Sequence, residues 1–122
     1  MSNNQKIVAV LNDLMFTVKI QEAAKRAGLE PVFVKTQQHA LSQAKEKPAV
    51  IILDLNYAEA APLETIEKIK ADGESSSVAL VGYVSHVQAD LKRAAEERGC
   101  DTVIARSVFS QNLPRILSRY AA

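Results

Sequence analysis

Ala49-Val50-Ile51-Ile52-Leu53-Asp54-Leu55-Asn56 decides the fold of this chain. Four consecutive branched apolar residues run directly into a carboxylate and, two positions on, an amide. A strand buried on one face alternates apolar and polar residues, whereas one covered on both faces reads as an unbroken Val/Ile/Leu run. Val50 to Leu53 therefore predicts a central strand of a parallel sheet with helices on either side. In open α/β sheets, ligand chemistry lies beyond the carboxyl ends of the strands, and Asp54 is the first polar residue there.

Working outward, each neighbouring segment alternates strand with helix. Lys6 to Leu11 is an apolar run ending in Asn12-Asp13, a first strand. Phe16, Ile20, Ala23, Ala24 and Ala27 then recur at the spacing of one helical face, which Gly28 terminates. Pro31 to Val34 gives a short second strand. Thr36 is placed to cap a helix carrying Ala40, Leu41 and Ala44, which Pro48 stops. After the central strand, Pro62 opens a third helix at its first turn, with Leu63, Ile66 and Ile69 inward and Asp72-Gly73 ending it. Val78 to Val84 predicts a fourth strand. A fourth helix carries Val87, Leu91, Ala94 and Ala95 up to Gly99, and Asp101 to Ala105 a fifth strand. A last helix, capped by Asn112 or Ser110 with Pro114 in its opening turn, is expected to bury Leu113, Ile116, Leu117 and Tyr120.

Five strand–helix units in strict alternation predict an α/β, flavodoxin-like (βα)5 doubly wound sandwich. Its five-stranded parallel sheet is expected in the order 2-1-3-4-5, read as a single domain over residues 1–122. In that order strands 1, 3 and 5 are expected as neighbours, bringing Asn12-Asp13, Asp54 and Arg106 together. Hydrophobic periodicity does not require polar residues at those three places.

The bulk composition narrows the function classes. Fifteen Lys+Arg against fourteen Asp+Glu give a formal net charge of +1, which offers no electrostatic case for nucleic acid. The single cysteine, Cys100, excludes an internal disulfide framework and fits a reducing compartment. No apolar run reaches the roughly 20 residues of a membrane span. The polar start of the chain lacks signal-peptide architecture, so a cytoplasmic location is expected. With four glycines and Asn12-Asp13-Leu14-Met15 after strand 1 in place of a Gly-rich loop, a flavodoxin-like nucleotide-binding protein is the weakest of the readings considered.

Over Lys6 to about Tyr120 the chain resembles the receiver domains of two-component response regulators. The resemblance implies that Asp54 holds the phosphoacceptor position. It places Asn12-Asp13 at the family's acidic pair and the backbone carbonyl of Asn56 in the metal site. Gly99-Cys100-Asp101 matches the Gly-Ala-Asp approach to strand 5. The departures are as numerous. Asn12 replaces a carboxylate, Arg106 the lysine, and Ser107 the proline after it. Val103 stands where the switching aromatic is expected. Val84 or, if the loop shifts by one residue, Ser85 takes the Ser/Thr position. The Pro-containing loop after the acceptor is missing, since Tyr57-Ala58 follows Asn56. The pattern is that of an atypical, degenerate receiver.

Phosphoryl transfer to a carboxylate relies on Mg²⁺ and a cation to neutralise charge on the equatorial oxygens. The resemblance implies a Mg²⁺ site at Asp13, Asp54 and Asn56, weakened by the missing carboxylate. Arg106 is suited to pairing with a carboxylate. It is expected either to bond Asp54 or Asp13, taking the place of the metal, or to point into solvent. A stand-alone signalling module acting through protein contacts is expected, with phosphorylation weakened or lost. The rival is a phospho-receiver taking its phosphoryl group from a histidine kinase on Asp54. No catalytic residue is assigned, no nucleic-acid or membrane partner is expected, and the chain is expected as a monomer or weak homodimer. His86 lacks a nucleophilic partner and reads as a loop or helix-start residue. His39 reads as exposed, Cys100 as a bystander thiol, and Lys92-Arg93 with Glu96-Glu97 as a solvated face with i,i+4 pairing.

Overall fold

The computed structural model describes residues 5–85 and 88–121. It forms a five-stranded parallel sheet in the order β2-β1-β3-β4-β5. The strands are β1 (Lys6–Val10), β2 (Glu30–Val34), β3 (Val50–Asp54), β4 (Ala79–Val84) and β5 (Thr102–Ala105). The helices are α1 (Leu14–Arg26), α2 (Gln37–Ala44), α3 (Pro62–Ala71), α4 (Ala89–Glu97), α5 (Arg106–Gln111) and α6 (Leu113–Ser118). This is the expected flavodoxin-like order. His86 and Val87 lie outside the described residues.

The central strand behaves as its sequence requires. Val50, Ile51, Ile52 and Leu53 are each no more than 1% exposed. Alternate side chains feed two separate cores. Ile51 and Leu53 join Val8, Val10, Leu80 and Val84 under α2, α3 and α4. Val50 and Ile52 join Ile7, Ala9, Val81 and Tyr83 under α1, α5 and α6.

The caps follow the sequence closely. Asp13 accepts from the Phe16 N–H at 3.1 Å to start α1, and Thr36 accepts from the His39 N–H at 3.1 Å to start α2. Gly28 takes φ +76° after α1, in the left-handed region where glycine carries no Cβ penalty. Asp101 ties the start of β5 to β4 by accepting from the Leu80 N–H at 2.8 Å.

Several expectations are corrected. β5 does not neighbour β3, because β4 stands between them. The final helix is two short ones: α5 begins at Arg106 with no intervening loop and buries Phe109. Asn112 stands at the N-cap of α6 without a capping bond, its Nδ2 donating instead to the Val108 carbonyl at 2.9 Å. Tyr120 follows α6 and is half-buried. On α4 only Ala95 is fully buried, and Lys92-Arg93 form no ion pairs with Glu96-Glu97.

Candidate functional site

The carboxyl ends of β1, β3, β4 and β5 meet α1 and α5 at one corner of the sheet. Asp54 ends β3, opposite Tyr83 in the β3–β4 register. Its Oδ1 accepts from the Asn56 N–H at 2.9 Å, closing a tight turn after the strand. Asn56 carries that turn across to β4, its Oδ1 accepting from the Ser85 N–H at 2.7 Å. Burial raises the Asp54 carboxyl above its ordinary range, opposed by the Asn56 N–H and by the charge on Arg106. Among the described residues Asp54 forms no ion pair.

Arg106 goes to Asp13. Its Nη2 donates to Asp13 Oδ2, so the first residue of α5 is bonded to the residue that caps α1. The guanidinium also lies over the Phe16 ring, 4.8 Å from its centroid. Asp13 is thus held at both oxygens, Oδ1 by the helix and Oδ2 by the arginine. Its carboxyl is held below the usual range, first by the Phe16 N–H and then by Arg106. Asn12, beside it, is exposed and lines a shallow groove with Leu14, Thr17, Phe33 and Lys35.

The strand alternation separates Val84 from Ser85. Val84 is buried in the core beneath α2, α3 and α4, while Ser85 lines a cavity with Phe16 and Arg106. Val103 is 8% exposed and packs in the same core as Val84.

Sequence reasoning missed the aromatic stack beneath this corner. Tyr83 lies with its ring centroid 5.2 Å from Phe109, stacked at 9°, and 4.9 Å from Phe16. The residue is 1% exposed, and its hydroxyl has no hydrogen-bond partner among the described residues. The available signal was the parity of Val81 and Tyr83, which puts both on the face shared with Asp54.

These residues fit a divalent ion poorly. No three His, Cys, Asp or Glu side chains converge as a metal site among the described residues. Asp13 has both oxygens engaged, so an ion at Asp13 and Asp54 would share Oδ2 with the guanidinium of Arg106 or displace it.

A five-stranded parallel sheet in this order, with helices on both faces, is shared with solved structures of response regulators. The chain is similar to a response regulator from Hahella chejuensis, at 20% identity over 95% of this chain and 94% of that one, TM-score 0.85. It is also similar to the receiver domain of the sensor histidine kinase PA1611 from Pseudomonas aeruginosa, at 17% identity over 96% and 97%, TM-score 0.81. That receiver was crystallised with a magnesium ion coordinated in its active-site cleft. The chemotaxis response regulator CheY4 of Vibrio cholerae matches at 17% identity over 94% and 97%, TM-score 0.81. No protein-family model matches the chain, and no curated protein does. The chain therefore has the receiver-domain fold.

Proposed function

We propose that this chain is a two-component-type signalling module, a single receiver-like domain whose working state does not require a phosphoryl group on Asp54. It acts by contact with another protein, a histidine kinase or other signalling component, and not as an enzyme. The observation that carries this reading is the Asp13–Arg106 bond. In the receiver pattern the acid after β1 serves the metal and the cation after β5 serves the phosphoryl group. Here the two groups satisfy each other. The pair puts a fixed positive charge on the carboxylate that a divalent ion would otherwise use, and Phe16 packs against the guanidinium.

Val103 supports the same reading, since a buried valine has no ring to swing between two environments. The fold argues for a signalling role because the solved structures sharing it include response regulators and a kinase receiver. Mg²⁺ binding at Asp13 and Asp54 is expected to be weak, since it competes with the arginine bond. The decisive experiment adds beryllofluoride and Mg²⁺ while backbone amides are followed by NMR. Little change around Asp54, Ser85 and Arg106 is expected. Large coupled shifts there, or a labile phosphoryl group on Asp54 in the intact mass after acetyl phosphate treatment, would favour the working phospho-receiver instead.

A further inference from the structure

Between α1 and α5 lies an open cleft of about 310 Å³ lined by Met15, Phe16, Lys19, Ser85, Arg106, Ser107 and Ser110. That volume falls at the small end of the roughly 300–1,000 Å³ range of ligand pockets. Among the described residues two cations and no carboxylate line it, one of the cations, Arg106, being also bonded to Asp13. Lys19 forms no ion pair among the described residues, its Nζ donating to Ser110 Oγ at 3.0 Å. Arg106 engages Asp13 through Nη2, and a guanidinium carries five N–H donors in all. Serines stand on both sides, Ser85 from the end of β4 and Ser107 and Ser110 from α5. Phe16 gives the cavity an aromatic wall, backed by Tyr83, whose hydroxyl has no partner among the described residues.

We propose that this cavity binds a small organic phosphate, its tetrahedral head on Lys19, Arg106 and the serine hydroxyls and a flat or apolar body against Phe16 and Met15. The donors come from α1, the end of β4 and α5, which suits a group with acceptor oxygens pointing several ways better than a planar carboxylate. A phosphate monoester carries a charge of about −1.5 to −2 at neutral pH, which Lys19 opposes in full and Arg106 in part, since Arg106 is shared with Asp13. Arginine pairs with such a group through two parallel N–H bonds. Because Arg106 serves both Asp13 and the cavity, an occupant there competes with Asp13 for the guanidinium. The module then has a noncovalent input at the corner where receivers take a covalent one. This goes beyond the phosphorylation-independent reading and rests on it in one respect, that Arg106 is not held by a phosphoryl group on Asp54.

Phenyl phosphate is the probe, added to the full chain without divalent ions while backbone amides are followed by NMR. Saturable shifts are expected at Phe16, Lys19, Ser107 and Ser110, with affinity about tenfold above that for inorganic phosphate, a difference near 1.4 kcal/mol. Lys19→Glu, a change at an exposed residue, should abolish them, and Asp54→Asn should leave them intact. Equal affinity for inorganic phosphate, insensitivity to Lys19→Glu, or loss of binding in Asp54→Asn would overturn the proposal. Acetyl phosphate labelling of Asp54 tests the earlier reading separately.

Discussion

Arg106 and Asp13 are bonded across the end of the sheet, from the first residue of α5 to the N-cap of α1. β4 lies between β3 and β5, so Arg106 reaches the β1 side only because its side chain is long and runs over Phe16.

Asp13 does two jobs that substitution can separate. Asp13→Asn keeps a side-chain oxygen for the Phe16 N–H and loses the charge facing Arg106. Asp13→Ala loses both, and a lost N-cap alone costs about 0.5–2 kcal/mol. The partly exposed ion pair adds roughly 0.2–1 kcal/mol, since its side chains are 40% and 29% accessible. Urea unfolding should therefore rank wild type above Asp13→Asn and Asp13→Asn above Asp13→Ala. Equal losses for the two variants would mean that the cap contributes nothing.

The two aspartates should pull the pH profile in opposite directions. Asp13 is depressed in the folded state, so its contribution is present above the unfolded value of about 3.9 and is lost as pH falls through the folded value. Asp54 is raised, so the folded state binds its proton more tightly than the unfolded chain does. Between the unfolded and folded values of Asp54, stability falls as pH rises, and the full penalty stands above both. Asp54→Asn is accordingly expected to unfold at higher urea than wild type at pH 7, with the difference fading in acid. A destabilised Asp54→Asn at pH 7 would show that Arg106 and the Asn56 N–H outweigh burial.

Most of this architecture could be read from the chain because the evidence was repeated. Val50–Leu53 needed two covered faces, Pro62 and Gly28 marked helix ends, and Thr36 and Asp13 stood where caps belong. The site was harder to read. The sequence left Arg106 three destinations, and only the packing of Phe16 beneath it selects Asp13. Val84 and Ser85 could not be separated by counting alone, since a one-residue shift exchanges the faces of a strand. The break at Asn112 was hidden because Leu113, Ile116 and Leu117 keep helical spacing on their own, while Phe109 belongs to a separate turn that starts directly from β5.

Tyr83 carries a buried hydroxyl that no described residue satisfies, and an unsatisfied buried polar group costs about 1–3 kcal/mol. Tyr83→Phe removes that group and keeps the stack on Phe109 and Phe16. The variant is expected to be as stable as wild type or more so, by up to about 1 kcal/mol, in thermal or urea unfolding. A clear loss of stability would mean that the hydroxyl is hydrogen-bonded in solution, through water or through the Asp54 carboxyl.

Gly82 lies opposite Leu53 in the β3–β4 register, and a Cβ there would stand 2.9 Å from Leu55 Cδ1 and 3.1 Å from its Cγ. Leu55 is itself 4% exposed and sits between Asp54 and Asn56, so any movement passes into the site turn. Gly82→Ala should cost about 1–3 kcal/mol as an overpacked core does. In a Leu55→Ala background the same change should cost almost nothing, because the clashing atoms are gone. Equal costs in both backgrounds would place the strain elsewhere.

An Arg106 bond that keeps an ion from Asp13 should be removable by substitution, with a metal site restored. Replacing the arginine alone frees Asp13 Oδ2 but leaves two carboxylates, Asp13 and Asp54. Replacing Asn12 alone adds a carboxylate beside an arginine that then has two partners to choose from. Mg²⁺ affinity rises with carboxylate charge and demands strict octahedral geometry, so the added acid and the freed Asp13 oxygen both bear on it. The double variant Asn12→Asp, Arg106→Lys should therefore bind Mg²⁺ at least about tenfold more tightly than wild type, a gain of some 1.4 kcal/mol by isothermal titration. Each single variant should recover less than half of that gain in free energy. If Asn12→Asp alone gives the whole of it, the missing carboxylate was the obstacle and the arginine bond is not what keeps the ion out.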